Sequence, residues 1–253
     1  MPLHRPEINS IATCMKPQLI VALDVPSATE ICPVVEALGD LVSFYKVGLE
    51  LFTAEGPASL APLQERNKNI FLDLKLHDIP RTVARAVKSA SHHGIDLLTL
   101  HAGGGKDMLA EAAEAAAEIR DRPLKLLAIT VLTSLNDNDL AEMGFQGSVP
   151  NCAARLGQMA FEAGIDGLVC SPHEVSHFRE QLGTDPIIVT PGVRPANAGP
   201  GDQKRVATPA MAVRAGADYL VVGRPILESA DPPAAARLIL DDMELGLCPS
   251  YKG

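Results

Sequence analysis

The sequence predicts an α/β fold, a (β/α)8 TIM barrel forming a single domain over residues 1–253. Three observations predict it. Eight short apolar runs recur along the chain, apolar on both faces, as parallel strands covered on two sides are. Helix-like stretches separate them. The phrases His93-Gly94-Ile95-Asp96, Ala163-Gly164-Ile165-Asp166 and Ala215-Gly216-Ala217-Asp218 mark three equivalent helix-to-strand turns, with glycine where a helix end calls for a left-handed residue. Eight such units in about 250 residues are the repeat of this barrel. A doubly wound open sheet is the alternative, but it usually has fewer strands, and no GxGxxG follows the first run.

The elements follow in order. Leu19–Leu23 is the first strand run, and Ser27 stands where a cap for a helix over Ala28–Leu38 belongs. Val42–Val47 is the second run and Ile70–Leu74 the third. Pro80 occupies the first turn of a helix continuing through Arg81–His93, where its missing N–H leaves no partner unmet. Leu97–Leu100 precedes Lys106–Ile119, whose Ala and Glu content favours helix. Leu124–Val131 leads to a helix at Asn151–Ala163, Gly167–Cys170 to Pro172–Leu182, and Ile187–Thr190 to Pro209–Ala215; Tyr219–Val222 completes the eight. Residues up to about 17 read as an N-terminal extension. Pro195–Gly201, with two prolines and two glycines in seven residues, reads as the most flexible loop.

Composition narrows the function. With 22 basic against 31 acidic residues and a net charge of −9, the chain lacks the basic surface that nucleic-acid binding draws on. Five cysteines, Cys14, Cys32, Cys152, Cys170 and Cys248, show no CxxC and no zinc-ligand spacing, so free thiols in a reducing compartment are expected. No run approaches 18 apolar residues and Met1–Pro17 lacks a signal-peptide core. A cytoplasmic protein with no membrane or nucleic-acid partner is the expectation.

Polar residues collect at one end of the strands, where barrel enzymes keep their sites. Asp73 and Lys75 are two apart, a spacing that puts both on one face of a strand, and Asp78 follows in the next loop. Charges beside an apolar strand need partners, and an alternating Asp–Lys–Asp array supplies them. By spacing alone the cluster is either a structural ion-pair network or a catalytic array. Asp24 ends the first run, as a helix cap or a ligand for substrate, and Lys46 lies in the apolar setting Phe44-Tyr45-Lys46-Val47. His101 reads as a hydrogen-bonded structural histidine. Gly223-Arg224 after the eighth run offers backbone N–H groups and a guanidinium fork suited to phosphate.

Asp73-Leu74-Lys75-Leu76-His77-Asp78-Ile79-Pro80-Arg81-Thr82-Val83 closely resembles the signature of the orotidine 5′-monophosphate (OMP) decarboxylase family. Val21–Asp24, Tyr45–Gly48, Leu132–Ser134, Thr190–Arg194 and Val221–Ile226 resemble its other blocks in order and spacing. The resemblance implies decarboxylation of OMP to UMP and CO2 in pyrimidine biosynthesis, with no metal and no cofactor. It implies Lys75 as proton donor to C6, Asp73 beside the departing carboxylate, and Lys46 bridging toward the ribose. Asp24 would hold a ribose hydroxyl, and Thr133 with Ser134 would meet the pyrimidine edge. Pro191, Arg194, Gln203, Gly223 and Arg224 would line the substrate site, the last four around the phosphate. It further implies a homodimer in which Asp78 and Thr82, with Ile79 between them, complete the partner's site. The rival reading is a sugar-phosphate barrel enzyme that shares the Asp-x-Lys-x-x-Asp core but uses a metal ion. A second is a non-catalytic phosphoribosyl-binding barrel, which has no use for the charge cluster.

Overall fold

The computed structural model describes residues 16–120, 122–194 and 207–248. Eight strands, β1 Gln18–Ala22, β2 Phe44–Gly48, β3 Asn69–Leu76, β4 Leu97–His101, β5 Lys125–Ile129, β6 Gly167–Val169, β7 Ile187–Pro191 and β8 Tyr219–Val222, form the sheet. Each pairs in parallel with the next, and β8 pairs with β1, so the barrel closes in chain order.

The helices are α1 Ile31–Leu38, α2 Leu49–Glu55, α3 Ala61–Gln64, α4 Pro80–Ser91, α5 Lys106–Ala117, α6 Asp137–Glu142, α7 Val149–Glu162, α8 Val175–Leu182, α9 Pro209–Ala215, α10 Arg224–Leu227 and α11 Pro232–Leu247. Among the described residues none is long and apolar enough to cross a membrane. The expected helix at Ala28–Leu38 begins later, because Ala28–Glu30 is a tight 3-10 turn. Ser27 makes no side-chain cap; its hydroxyl is 2.7 Å from that of Thr29. Asp24 caps no helix either, since its carboxylate faces Lys46. Pro172–Glu174 likewise forms a 3-10 turn ahead of α8. Pro80 is the first residue of α4, as its sequence position predicts.

Side-chain alternation divides the core in two. Ile20, Ala22, Phe44, Phe71, Leu97, Leu127, Val189, Tyr219 and Val221 fill the barrel. Their neighbours Val21, Tyr45, Val47, Leu72, Leu98, Leu126, Ile188 and Leu220 pack outward in the larger cluster shared with the helices. Period-two alternation makes this split. Continued one step, the inward row of β1 goes from Ala22 to Asp24, that of β2 from Phe44 to Lys46, that of β3 from Phe71 to Asp73, and that of β4 from Leu97 to Thr99. The barrel is therefore apolar below and charged at its C-terminal mouth.

The three repeated turns have a shared purpose at the opposite end. Asp96 accepts the N–H of Ile70 (2.8 Å), Asp166 that of Leu126 (2.9 Å) and Asp218 that of Ile188 (2.7 Å). Each aspartate precedes an even-numbered strand and satisfies the odd-numbered strand before it. Each also pairs with a cation, Arg122, Lys125 and Arg179 respectively.

Candidate active site

The site begins with an irregularity in β3. Its register against β4 shifts between Leu72 and Leu76, and Lys75 adopts φ +51°. A lysine in the left-handed region is strained by about 1–2 kcal/mol, and persists only where its surroundings hold it. Here the Lys75 N–H donates to Thr99 Oγ1 (2.9 Å), and the Thr99 hydroxyl donates to Asp73 Oδ1 (2.9 Å). Asp73 and Lys75 do meet, as their spacing predicts, but across a bulge rather than along a regular strand.

Lys75 Nζ lies 2.9 Å from both Asp73 oxygens. Lys46 Nζ lies 3.7 Å from Asp73 Oδ2 and 3.2 Å from Asp24 Oδ1. The four groups thus form one alternating row, Asp24–Lys46–Asp73–Lys75, across the mouth from β1 to β3. Asp73 is 9% exposed and Thr99 fully buried, so the row is rooted where water is scarce and fixed charges act strongly.

Asp78 corrects the expected array. It makes no ion pair with any described residue and instead accepts the N–H of its neighbour Ile79 (2.7 Å). It lies three residues past Lys75 in the exposed loop before α4, and Asp24 takes its place as the row's second carboxylate. Ile79 is 68% exposed, and Thr82 is exposed on the first turn of α4.

The row borders a cleft with two halves. One half is apolar, walled by Phe71, Ile129, Val131, Val169 and Val221, with Thr133 at its edge and Lys75 and Asp73 facing it. The other is polar, formed by Asp24, Gly192–Arg194 and Gly223–Pro225. Lys46, Pro191 and Val221 line both. A Cβ at Gly223 would stand 3.2 Å from Asp24 Oδ2, so the small residue leaves the carboxylate its space. Ser134 is exposed and lines neither half. Gln203 and the Pro195–Gly201 loop lie outside the described residues. A planar, uncharged ring suits the apolar half, and an anion suits the guanidinium-bearing polar half; Lys46 stands between them.

Next to the row, outside the lining of either half of the cleft, His101, which the sequence presents as a hydrogen-bonded structural histidine, has His77 as its neighbour. His77 and His101 stack with ring centroids 5.3 Å apart and planes 12° from parallel. Burial, then the charges of His77 and Lys75, hold the His101 imidazolium below its ordinary pKa.

Residues 17–239 match the model of the orotidine 5'-phosphate decarboxylase / HUMPS family. The chain belongs to this family. Among relatives bearing the name orotidine 5'-phosphate decarboxylase, that of Gloeothece citriformis (strain PCC 7424) is 50% identical over 227 residues, covering 89% of this chain and 97% of the relative. That of Moorella thermoacetica is 49% identical over 236 residues, covering 91% and 93%. The crystal structure of orotidine 5'-phosphate decarboxylase from Lactobacillus acidophilus superposes with a TM-score of 0.80 at 38% identity, covering 90% of this chain and 99% of that one. Membership in the decarboxylase family agrees with the resemblance stated from the strand-end blocks, and the closed barrel agrees with the predicted fold.

Proposed function

We propose that this chain decarboxylates OMP to UMP and CO2, with Lys75 delivering the proton to C6 and with neither metal nor organic cofactor. The observation that carries the reading is the row Asp24–Lys46–Asp73–Lys75 beside an apolar pocket. The C6–carboxylate bond breaks, its electron pair stays on C6, and CO2 leaves. That carbanion has no adjacent carbonyl to spread its charge. A fixed ammonium at Lys75 stabilises it as it forms and then gives up a proton to make the C6–H bond. Asp73 orients the ammonium through two equal contacts. Placed beside the substrate carboxylate, it also makes the ground state less comfortable than the transition state.

The remaining roles follow the cleft. The pyrimidine occupies the apolar half with Thr133 at its edge, and the ribose lies against Asp24 and Lys46. The phosphate lies by Arg194, Gly223 and Arg224, with Gln203 assigned there by resemblance. Phosphate binding so far from C6 can drive closure of the site, and its energy is then expressed in the transition state. Asp78, Ile79 and Thr82 lie outside the cleft of their own chain, which supports a homodimer in which they complete the partner's site.

The metal-using sugar-phosphate alternative fits the row less well. Each of the two carboxylates a divalent ion would need is already countered by an ammonium, Asp24 by Lys46 and Asp73 by Lys75. The test follows OMP absorbance after adding the protein with EDTA present. Rapid loss with UMP and CO2 as products is expected. No turnover with EDTA, but magnesium-dependent activity on a keto-sugar phosphate, would overturn the assignment.

A further inference from the structure

Three successive residues of β4 hold three successive residues at the end of β3 and just past it, Lys75, Leu76 and His77. Thr99 takes the Lys75 N–H through its side chain. Leu100 pairs with Leu76 where the register resumes. His101 stacks against His77. The first two contacts bracket the one described non-glycine residue besides Asn67 that has a positive φ. The third fastens the chain immediately beyond it.

The rings occupy a notch that glycine provides. Gly103 N–H donates to His101 Nδ1 (3.0 Å), which fixes the tautomer with its proton on Nε2. A Cβ at Gly103 would stand 3.0 Å from that nitrogen, and one at Gly104 would stand 3.3 Å from the His77 ring and far inside contact distance of the Met108 sulfur. The glycines thus let the β4–α5 turn close over both imidazoles, with the uncharged Met108 of α5 behind them. Offset stacking at this separation is attractive for aromatic rings, and burial, ahead of the neighbouring charges, favours the neutral form of His101.

We propose that His77 and His101 are a positioning pair, the last of three β4–β3 clamps, which holds Lys75 in the backbone conformation that aims its ammonium along the Asp73 carboxylate. Neither imidazole touches the cleft's reacting centre; the pair acts through the backbone of residues 75–77. The catalytic consequence rests on Lys75 being the proton donor, whereas the clamp itself does not.

The experiment compares His77→Ala and His77→Phe in the full chain, reading steady-state turnover of OMP and amide hydrogen exchange at Lys75. His77→Ala should lower kcat roughly 10- to 100-fold, the scale expected when a reacting group is misplaced by about an ångström, with KM nearly unchanged. The Lys75 amide should exchange faster. His77→Phe keeps a ring on His101 and should restore both. If His77→Ala loses its fold or its oligomeric state, His101→Asn, which keeps an acceptor for Gly103, makes the same test from the other ring. Unchanged exchange in a folded variant overturns the clamp. Faster exchange with wild-type kcat overturns its catalytic role. A wild-type protein inert toward OMP would refute the proposed function, and the exchange comparison would still decide the clamp.

Discussion

Lys75 combines a strained backbone with the charge on which the proposed reaction depends, and substitutions can separate the two. Lys75→Ala removes the ammonium and keeps a Cβ at φ +51°; Lys75→Gly removes both. Both should lose turnover by about 10³-fold or more, since one group supplies electrostatic stabilisation and the proton. Lys75→Gly should nevertheless be the more stable of the two by about 1 kcal/mol, because glycine adopts the left-handed region without penalty. Appreciable residual kcat in either variant would remove Lys75 from its role, and equal denaturation midpoints would remove the strain. Tyr45 poses a separate question at the same scale. Its hydroxyl is buried without a hydrogen-bond partner among the described residues, and burial alone pushes its ionisation far up. An orphaned buried hydroxyl costs about 1–3 kcal/mol. Tyr45→Phe should therefore raise the thermal midpoint while leaving kcat alone, as Tyr45 faces the helices and not the cleft. A lowered midpoint would show that the hydroxyl is satisfied.

At the scale of elements, the repeated aspartates show how the ends of the strands differ. Asp166 serves only the N-terminal end of the barrel, taking the Leu126 N–H and the Lys125 ammonium. Asp166→Ala leaves a buried strand N–H unmet and should cost about 1–3 kcal/mol, with kcat unchanged. Asp166→Asn keeps an acceptor and should cost less. Chemical denaturation with parallel kinetics checks both, and a fall in kcat for the folded variant would contradict the separation of stability from chemistry. Much of this was legible in the sequence. The eight apolar runs mark the strands because burial on both faces leaves little room for polar residues. The turns at Asp96, Asp166 and Asp218 stand out because each performs the same task. The mouth residues Asp24, Lys46 and Asp73 are readable because each continues the inward alternation of its strand. Other features left no such signal. The Lys75 bulge has no glycine or asparagine to announce it. The helices after β2 and β8 carry weaker marks: Leu49–Glu55 and Ala61–Gln64 are short and lack side-chain caps, and Pro232–Leu247 follows the last strand block, with no further strand to bracket it. The separation of Asp78 from Lys75 depends on where the loop turns, which residue spacing does not encode.

At the scale of the whole molecule, the proposed function assigns Asp78, Ile79 and Thr82 to the cleft of a second copy. In one chain they are exposed and outside the cleft, on the loop and first turn that follow the charged row directly. An isoleucine 68% exposed beside an aspartate whose described partner is only a neighbouring N–H is a weak arrangement in solvent and a serviceable one against a second copy. If two copies pair about a twofold axis, each cleft takes Lys75 from one chain and Asp78 from the other. Lys75→Ala and Asp78→Asn would then each be inactive as pure dimers. Mixing and re-equilibrating the two should restore activity. Half of the dimers would be mixed, and each would contain one cleft with both native residues, so recovery should reach about a quarter of the wild-type rate per chain. The mixed species should sediment at the mass of two chains. If each chain used its own Asp78, the mixture would show only the residual rates of its components, however completely the subunits exchanged. Recovery near a quarter would therefore establish the shared site kinetically, and its absence in a verified mixed dimer would return Asp78 to a role within its own chain.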